Sequence, residues 1–337
     1  MDKRMQLEIL EPGLMTTVQD GGRYGYQASG FSVCGCMDLK AMREANLLVN
    51  NPPGEAVLEM IYMGGSFRFS CDCFFALTGA DLQPRLNDKE IPCCQAVRAM
   101  AGDLLRCRTA RNGRYGYLAV TGGFLIPEAL GSKSTHLKCT IGGFQGRKLE
   151  KGDILPLCTE TSLLLHLNQK KISYKEYLPE VSIRVVPGPQ YDNFTQEGKR
   201  TFGGEKYVVS GESDRMGYRL EGPAVGLCGK ADIISDAVAE GSVQVPSNGM
   251  PMVLLADRQT TGGYAKIGTV ISVDLPRLVQ CMPGSAVRFS WVTVGEAQAL
   301  YRKAKREERC LMRRIGYCRE NLSYFERIRR RGLWKTV

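Results

Sequence analysis

Punctuation constrains this chain more than anything else in it. Thirty-eight glycines and fifteen prolines cut 337 residues into short apolar runs. Ser66–Ser70, Tyr117–Val120, Val181–Val186, Val253–Ala256, Thr269–Val273 and Ala286–Phe289 are each four to six residues long and rich in β-branched or aromatic side chains. Runs of that length bounded by turn residues read as strands joined by tight turns, not as units in which strands alternate with long helices. Helical spacing is confined to two places. One is Leu39–Val49, with Asp38 as its N-cap and Asn50-Asn51-Pro52-Pro53 as its stop; the other is a basic segment from about Val294 to Ile315. The fold class is therefore mostly β with few short helices. No repeat of 20 to 50 residues is visible, which argues against solenoids and propellers.

The length is more than one domain usually takes. A polar stretch, Asn168-Gln169-Lys170-Lys171 followed by Leu178-Pro179-Glu180, separates two strand-rich halves of unequal length. The expected organisation is an N-terminal domain over 1–180, a C-terminal domain over 181–293 and a basic helical or disordered tail over 294–337. The formal charge of +10 belongs mostly to that tail, where from Glu296 onward thirteen Lys or Arg face five Glu. The remaining chain is close to neutral, so the charge reads as a solvated helix face or frayed end and does not point to nucleic acid. With no run of eighteen uncharged apolar residues and no apolar stretch near Met1, the sequence offers no membrane segment or signal peptide and reads as cytoplasmic. The thirteen cysteines show no C-x-x-C spacing and only two histidines, His136 and His166, accompany them. They read as buried thiols, with no metal site expected. His166 reads as a histidine at the edge of the core.

Three segments concentrate polar, charged and glycine residues beyond what packing requires. They are Thr16–Gly25, Gly211–Arg219 and Asp257–Tyr264, the last directly after the apolar Met252–Ala256. Loops at the ends of buried strands are where a rigid scaffold presents functional groups. Arg suits a carboxylate or phosphate, Asp orients it, Gln and Thr suit an amide, and Gly lets backbone N–H groups approach. The same residues also suit plain turns with surface ion pairs, and composition does not separate the two readings. Gly131-Ser132-Lys133-Ser134-Thr135 lacks the first glycine of a phosphate loop, where Ile126 stands, and no G-x-G-x-x-G opens a helix. Ser134 with His136 lacks the G-x-S-x-G context of a hydrolase, and Cys36 beside Asp38 has no histidine nearby in sequence to activate it.

A collinear set of motifs spans about residues 5 to 290. It runs from Gly13–Arg23 through Met37-Asp38, Ala45-Asn46, Leu77–Ala80, Tyr117–Gly123, Gly131–Thr135 and Gly143–Arg147 to Pro187–Gln190, Ser213–Leu220, Glu240–Pro246 and Ala256–Tyr264. This set resembles the biotin-dependent carboxyltransferase or allophanate-hydrolase subunit 2 family, which includes KipA-like regulators and 5-oxoprolinase C subunits. The resemblance implies two β-barrel-like domains of cyclophilin-like type. For a free-standing chain it implies ATP-dependent opening of 5-oxo-L-proline to L-glutamate together with subunits A and B. ATP with Mg would act at the level of the complex, and no biotin is attached to this chain, which lacks Met-Lys-Met. The alternatives are a carboxyltransferase component acting on urea or a similar amide, or a regulator binding a kinase inhibitor that resembles the B chain of that complex. On this reading Asp214, Arg215, Asp257 and Arg258 carry the chemistry, and the substrate is held by Thr17, Gln19, Asp20, Arg23, Tyr218, Arg219, Gln244, Gln259, Thr260, Thr261 and Tyr264. Where relatives usually have Ser-Gly-Ala-Met-Asp, this chain has Cys34-Gly35-Cys36-Met37-Asp38, which fits drift to cysteine rather than a dedicated thiol site.

Overall fold

The computed structural model describes residues 5–158, 167 and 170–316, so His166 and the Arg329–Arg331 run lie outside the described residues. The chain forms two compact units. One takes the described residues up to Gly22 and Asp38–Glu176; the other takes Arg23–Met37 and Tyr177–Glu308. The segment from Arg23 to Met37 therefore folds with a stretch that begins 140 positions further along the chain, a discontinuity that no composition shift marks.

In the first unit eleven strands among the described residues make two antiparallel sheets. They are β1 (Gln6–Glu11), β2 (Thr16–Gln19), β3 (Val57–Ile61), β4 (Ser66–Phe69), β5 (Cys73–Asp81), β6 (Arg85–Leu86), β7 (Lys89–Glu90), β8 (Ala96–Ala99), β9 (Leu104–Arg106), β10 (Asn112–Val120) and β11 (Ile154–Pro156). One sheet runs β11-β1-β4-β9-β6-β7 and the other β2-β3-β10-β5-β8. Period-two alternation sends Leu7 and Ile9 of β1, Phe67 and Phe69 of β4 and Leu105 of β9 inward. There they join Val18, Leu58, Met60, Phe75, Leu77, Leu118 and Val120 of the second sheet in one core. Helix α1 (Leu39–Leu48) packs across β5 and β10. Its start is fixed as expected, with Asp38 Oδ1 accepting from the Ala41 N–H at 2.9 Å. Its end is fixed by Asn50, which takes a left-handed φ of 61°, and by Pro52.

The second unit holds a closed seven-stranded barrel. Its strands are β12 (Glu180–Pro187), β13 (Lys206–Val209), β14 (Gly217–Glu221), β16 (Ser242–Gln244), β17 (Met252–Leu254), β19 (Lys266–Val270) and β20 (Ala286–Trp291), in the order β12-β19-β16-β17-β14-β13-β20. A parallel pairing of β12 with β20 closes it, and closure leaves no sheet edge to protect. Outside the barrel, β15 (Asp232–Ala237) and β18 (Thr261–Tyr264) pair only with each other as a two-stranded ribbon. Val181, Ile183, Val185, Tyr207, Tyr218, Val253, Ile267 and Phe289 are all buried. Helix α2 (Gln196–Gly204) stacks Phe202 on Phe289 with ring centroids 4.4 Å apart. The glycine-rich sequence of α2 gives little helical signal, and its start is fixed by a Thr195 cap, which accepts from Gly198 N–H at 2.9 Å. A short α3 (Leu275–Val279) and the basic α4 (Val294–Arg314) complete the described helices. No described helix is long and apolar enough to cross a membrane.

Candidate functional site

In the second unit the loops after Arg23, Asp214 and Asp257 are stitched together by backbone hydrogen bonds before any side chain is considered. Arg23 N–H donates to Val33 O (2.6 Å), Cys34 N–H to Ala256 O (3.0 Å), and Asp257 N–H to Arg215 O (2.9 Å). Ser32 Oγ donates to Arg258 O at 2.6 Å. On this frame Arg215 meets Asp257 edge on, through Nε to Oδ2 and Nη2 to Oδ1, both 2.9 Å, and Nη2 also donates to Gly35 O at 2.7 Å. Both partners are largely buried, and a two-pronged carboxylate contact fixes the guanidinium plane as well as its charge. Arg258 is held differently. Nε donates to Val238 O and Nη1 to Leu255 O, each 3.2 Å, which leaves Nη2 outside those two anchors.

The electrostatics of the cluster follow from its burial. Desolvation lowers the pKa of Arg258 below the usual arginine range, against the opposing pull of Glu240, Tyr24 and Cys34. Burial pushes the carboxyl of Glu240 above the usual carboxylate range, with Arg258 and Arg215 pulling it back. The Cys34 thiol is pushed up to about 12, first by burial and then by the Asp257 carboxylate, while Arg215 and Arg23 oppose. Cys34 is thus a neutral thiol at physiological pH and no nucleophile. What the cluster offers is buried guanidinium donors beside a carboxyl group that keeps its proton more readily than usual.

The other residues singled out in the sequence fall in several places. Asp214 is exposed, and its Oδ1 accepts from Met216 and Gly217 N–H (2.8 and 3.2 Å), the geometry of a turn-stabilising aspartate. Arg219 is exposed and pairs with Glu212 at 3.7 Å. Tyr218 is fully buried in the barrel with its hydroxyl on Val279 O. Gln259, Thr261 and Tyr264 are exposed, on the turn before β18 and on β18 itself, and Thr260 O accepts from Val238 N–H at 3.0 Å. Arg23 is fully buried beside Cys34.

Thr17, Gln19 and Asp20 belong to the first unit, where they meet the Gly131–Thr135 loop. Asp20 accepts from Ser132 Oγ (2.7 Å), Ser134 Oγ (2.5 Å) and the N–H groups of Lys133 and Gly22 (2.6 and 2.9 Å). Three of those bonds fall on Oδ1 and one on Oδ2, and all four lie within the chain turn and the Gly131–Thr135 loop, so Asp20 shapes the loop. Gln19 Nε2 donates to Thr17 Oγ1 and to Thr135 O, both 3.1 Å, leaving Oε1 buried with no partner among the described residues. Lys133 is buried on Glu55 and Phe124 O. Lys266, Gln190 and Asp236 form a further polar cluster in the second unit that sequence reading missed. The available signal was a lysine opening the otherwise uncharged β19.

A family model described as the carboxyltransferase domain, subdomain A and B, matches residues 29–291. The chain is 37% identical over 297 residues to the 5-oxoprolinase C subunit of Haemophilus influenzae, spanning 88% of this chain and 94% of that protein. To the 5-oxoprolinase C subunit of Escherichia coli it is 38% identical over 291 residues, 86% and 93% of the two chains. Among solved structures, the Kluyveromyces lactis urea amidolyase superposes with a TM-score of 0.82 at 27% identity, over 90% of this chain but only 20% of that one.

Proposed function

The chain belongs to the carboxyltransferase-domain family, subdomains A and B, and from that premise we propose that it is the C subunit of an ATP-dependent 5-oxoprolinase. In this reading it works in the cytoplasm with A and B subunits to hydrolyse 5-oxo-L-proline to L-glutamate. One observation carries the reading. The chain runs nearly the full length of two proteins named as 5-oxoprolinase C subunits, 94% and 93%, whereas it matches only 17% and 16% of two urea amidolyases. The identity to those two C subunits, 37% and 38%, also exceeds the 30% shared with the two urea amidolyases.

The second-unit cluster supplies chemistry that suits the reaction. Opening the lactam puts negative charge on the carbonyl oxygen, and the ring nitrogen must gain a proton as its bond to carbon breaks while water supplies the new carboxyl oxygen. Arg258, anchored at Nε and Nη1, is the donor for the developing charge or for the substrate carboxylate. Arg215 is positioned by Asp257, and Glu240 is the carboxyl group able to hold a proton for the nitrogen. The loop Gly131–Thr135 does not fit a nucleotide, because Asp20 takes both serine hydroxyls and Glu55 takes the lysine. We place the ATP-consuming step at the level of the complex.

The test is to co-express the chain with A and B partners and measure ATP-dependent glutamate formation from 5-oxo-L-proline. Arg258→Ala should lower turnover about 100-fold or more, the effect of removing one charge-stabilising donor. Full activity of that variant would remove Arg258 from the site. A wild-type complex that leaves 5-oxoproline intact but carboxylates urea when given carboxybiotin would overturn the reading itself.

A further inference from the structure

Helix α4 segregates its charge. Between Arg302 and Arg314 the cations Arg302, Lys303, Arg306, Arg309, Arg313 and Arg314 are all exposed. At about 3.6 residues per turn they fall within an arc of about 140°, spread along about 18 Å of the helix axis. Over that length no Asp or Glu shares the arc. Glu307 borders it, and Glu308 lies on the far side of the helix, paired with Lys305 at 2.7 Å. None of the six cations forms an ion pair among the described residues, although Arg302 Nη2 donates to Gln298 Oε1 at 3.4 Å. Arg302 with Arg306 and Arg309 with Arg313 stand four residues apart, and Arg306 stands three from both Lys303 and Arg309. Like charges at those spacings are neighbours on a helix and destabilise it. A face that carries this repulsion with no acid to relieve it suits an anionic partner.

The rest of the helix decides which anion. Ala297, Leu300, Ala304, Leu311 and Met312 lie opposite the arc and are half-buried, so the cationic face has no large apolar side chain to enter a lipid surface. The arc carries no aromatic ring on which a nucleic-acid base could stack. The chain before Glu296 is close to neutral and gives a phosphate backbone no track to continue along. Five of the six cations are arginines, whose planar fork meets both oxygens of a carboxylate. Arg302, Arg306, Arg309 and Arg313 follow one another at four, three and four residues, a straight row that acidic side chains at the same spacing on a facing helix would match. The family match ends at Trp291, three residues before α4 begins, so this face lies outside the matched domain. We propose that the arginine face of α4 is a docking surface for an acidic helix on a partner subunit of the complex. This deepens the functional reading above and rests on it for the existence of that partner.

The test measures the association rate of the full chain with its A and B partners at about 50 and about 300 mM KCl. For wild type the rate constant should fall at least about tenfold between the two, as salt screens the exposed charges. The combined variant Arg302→Gln, Arg306→Gln, Arg309→Gln and Arg313→Gln removes the stripe and its repulsion together. It should associate at least about tenfold more slowly at low salt, with a flatter salt dependence and a melting midpoint no lower than wild type. Neutralising four exposed lysines elsewhere, Lys148, Lys151, Lys171 and Lys230, to Gln should change the rate by less than about twofold. Equal slowing by both sets, or none by the α4 set, overturns the proposal. So does wild-type binding to an RNA of about 20 nucleotides, or to phosphatidylserine vesicles, that is tighter than binding to the partners and is lost in the α4 variant. If the complex assembles through α4 yet leaves 5-oxoproline unopened, the docking surface stands and the oxoprolinase reading falls. If glutamate forms and the α4 variant assembles as wild type does, the docking surface falls and the reading stands. A wild-type chain that does not associate with A or B overturns both.

Discussion

Removing Asp257 tests whether the second-unit cluster is held together by charge. The carboxylate and the Arg215 guanidinium are 12% and 7% exposed, joined by two 2.9 Å bonds. Asp257→Ala leaves a guanidinium that retains Gly35 O but has lost its two-pronged carboxylate contact. Breaking a buried pair from one side costs about 3–5 kcal/mol, since the remaining charge stays desolvated. For domains of this size class each kcal/mol moves the midpoint by about 2–4 °C, so the second unit's transition should fall by about 6–20 °C. The double variant Arg215→Met with Asp257→Leu should recover most of that loss, because an apolar pair needs no solvation, less about 1 kcal/mol for the stranded Gly35 carbonyl. Calorimetry of the two single variants and the double variant closes a thermodynamic cycle. A coupling energy of at least about 2 kcal/mol is expected. Strict additivity, or a loss under about 1 kcal/mol for Asp257→Ala, would refute the assignment of this pair as a mutually dependent buried unit.

Two further outcomes follow from other parts of the fold. Asp274, 1% exposed, accepts from Arg184 N–H (2.8 Å), Nε (2.8 Å) and Nη2 (2.6 Å) and from Arg277 Nη2 (2.8 Å). These bonds and the two positive charges hold its pKa below the usual carboxylate range, against the burial that would raise it. A depressed folded pKa contributes stability that is present above the unfolded value, near 3.9, and lost as pH falls through the folded one. Asp274→Asn should therefore cost about 2–3 kcal/mol at pH 7, and its deficit against wild type in urea melts should shrink below about pH 4. Within β5, Gly79 adopts a φ of 75°, and a Cβ there would meet Tyr115 O at 2.3 Å. Gly79→Ala should destabilise the first unit by at least about 2 kcal/mol, combining left-handed strain with overpacking against rigid backbone. A midpoint unchanged within error would show that this rung of the sheet relaxes.

The mostly β fold class was legible because period-two alternation and glycine punctuation are local. Leu7, Ile9, Phe67 and Phe69 alternate in the sequence as they do in the core. Helix α1 and its Asp38 cap were legible for the same reason, since the capping bond spans only three residues. The family was legible too, because its motifs keep their order along the chain. The barrel's closure, by contrast, joins β12 to β20 across more than 100 residues, and no local signal encodes a parallel partner that distant. Asp214 and Asp257 look alike in sequence, each beside an arginine in a polar glycine-rich segment. Folding gave one carboxylate to its own turn and the other to Arg215, 42 positions away. Lys266, a lone lysine on an otherwise uncharged strand, acquired its counter-charge only when Asp236 and Gln190 arrived around it. Residue types and their periodicity determine which segments become strands. Which polar groups are paired and which are left open to bind depends on contacts between segments far apart in the chain, and these the tertiary structure alone decided.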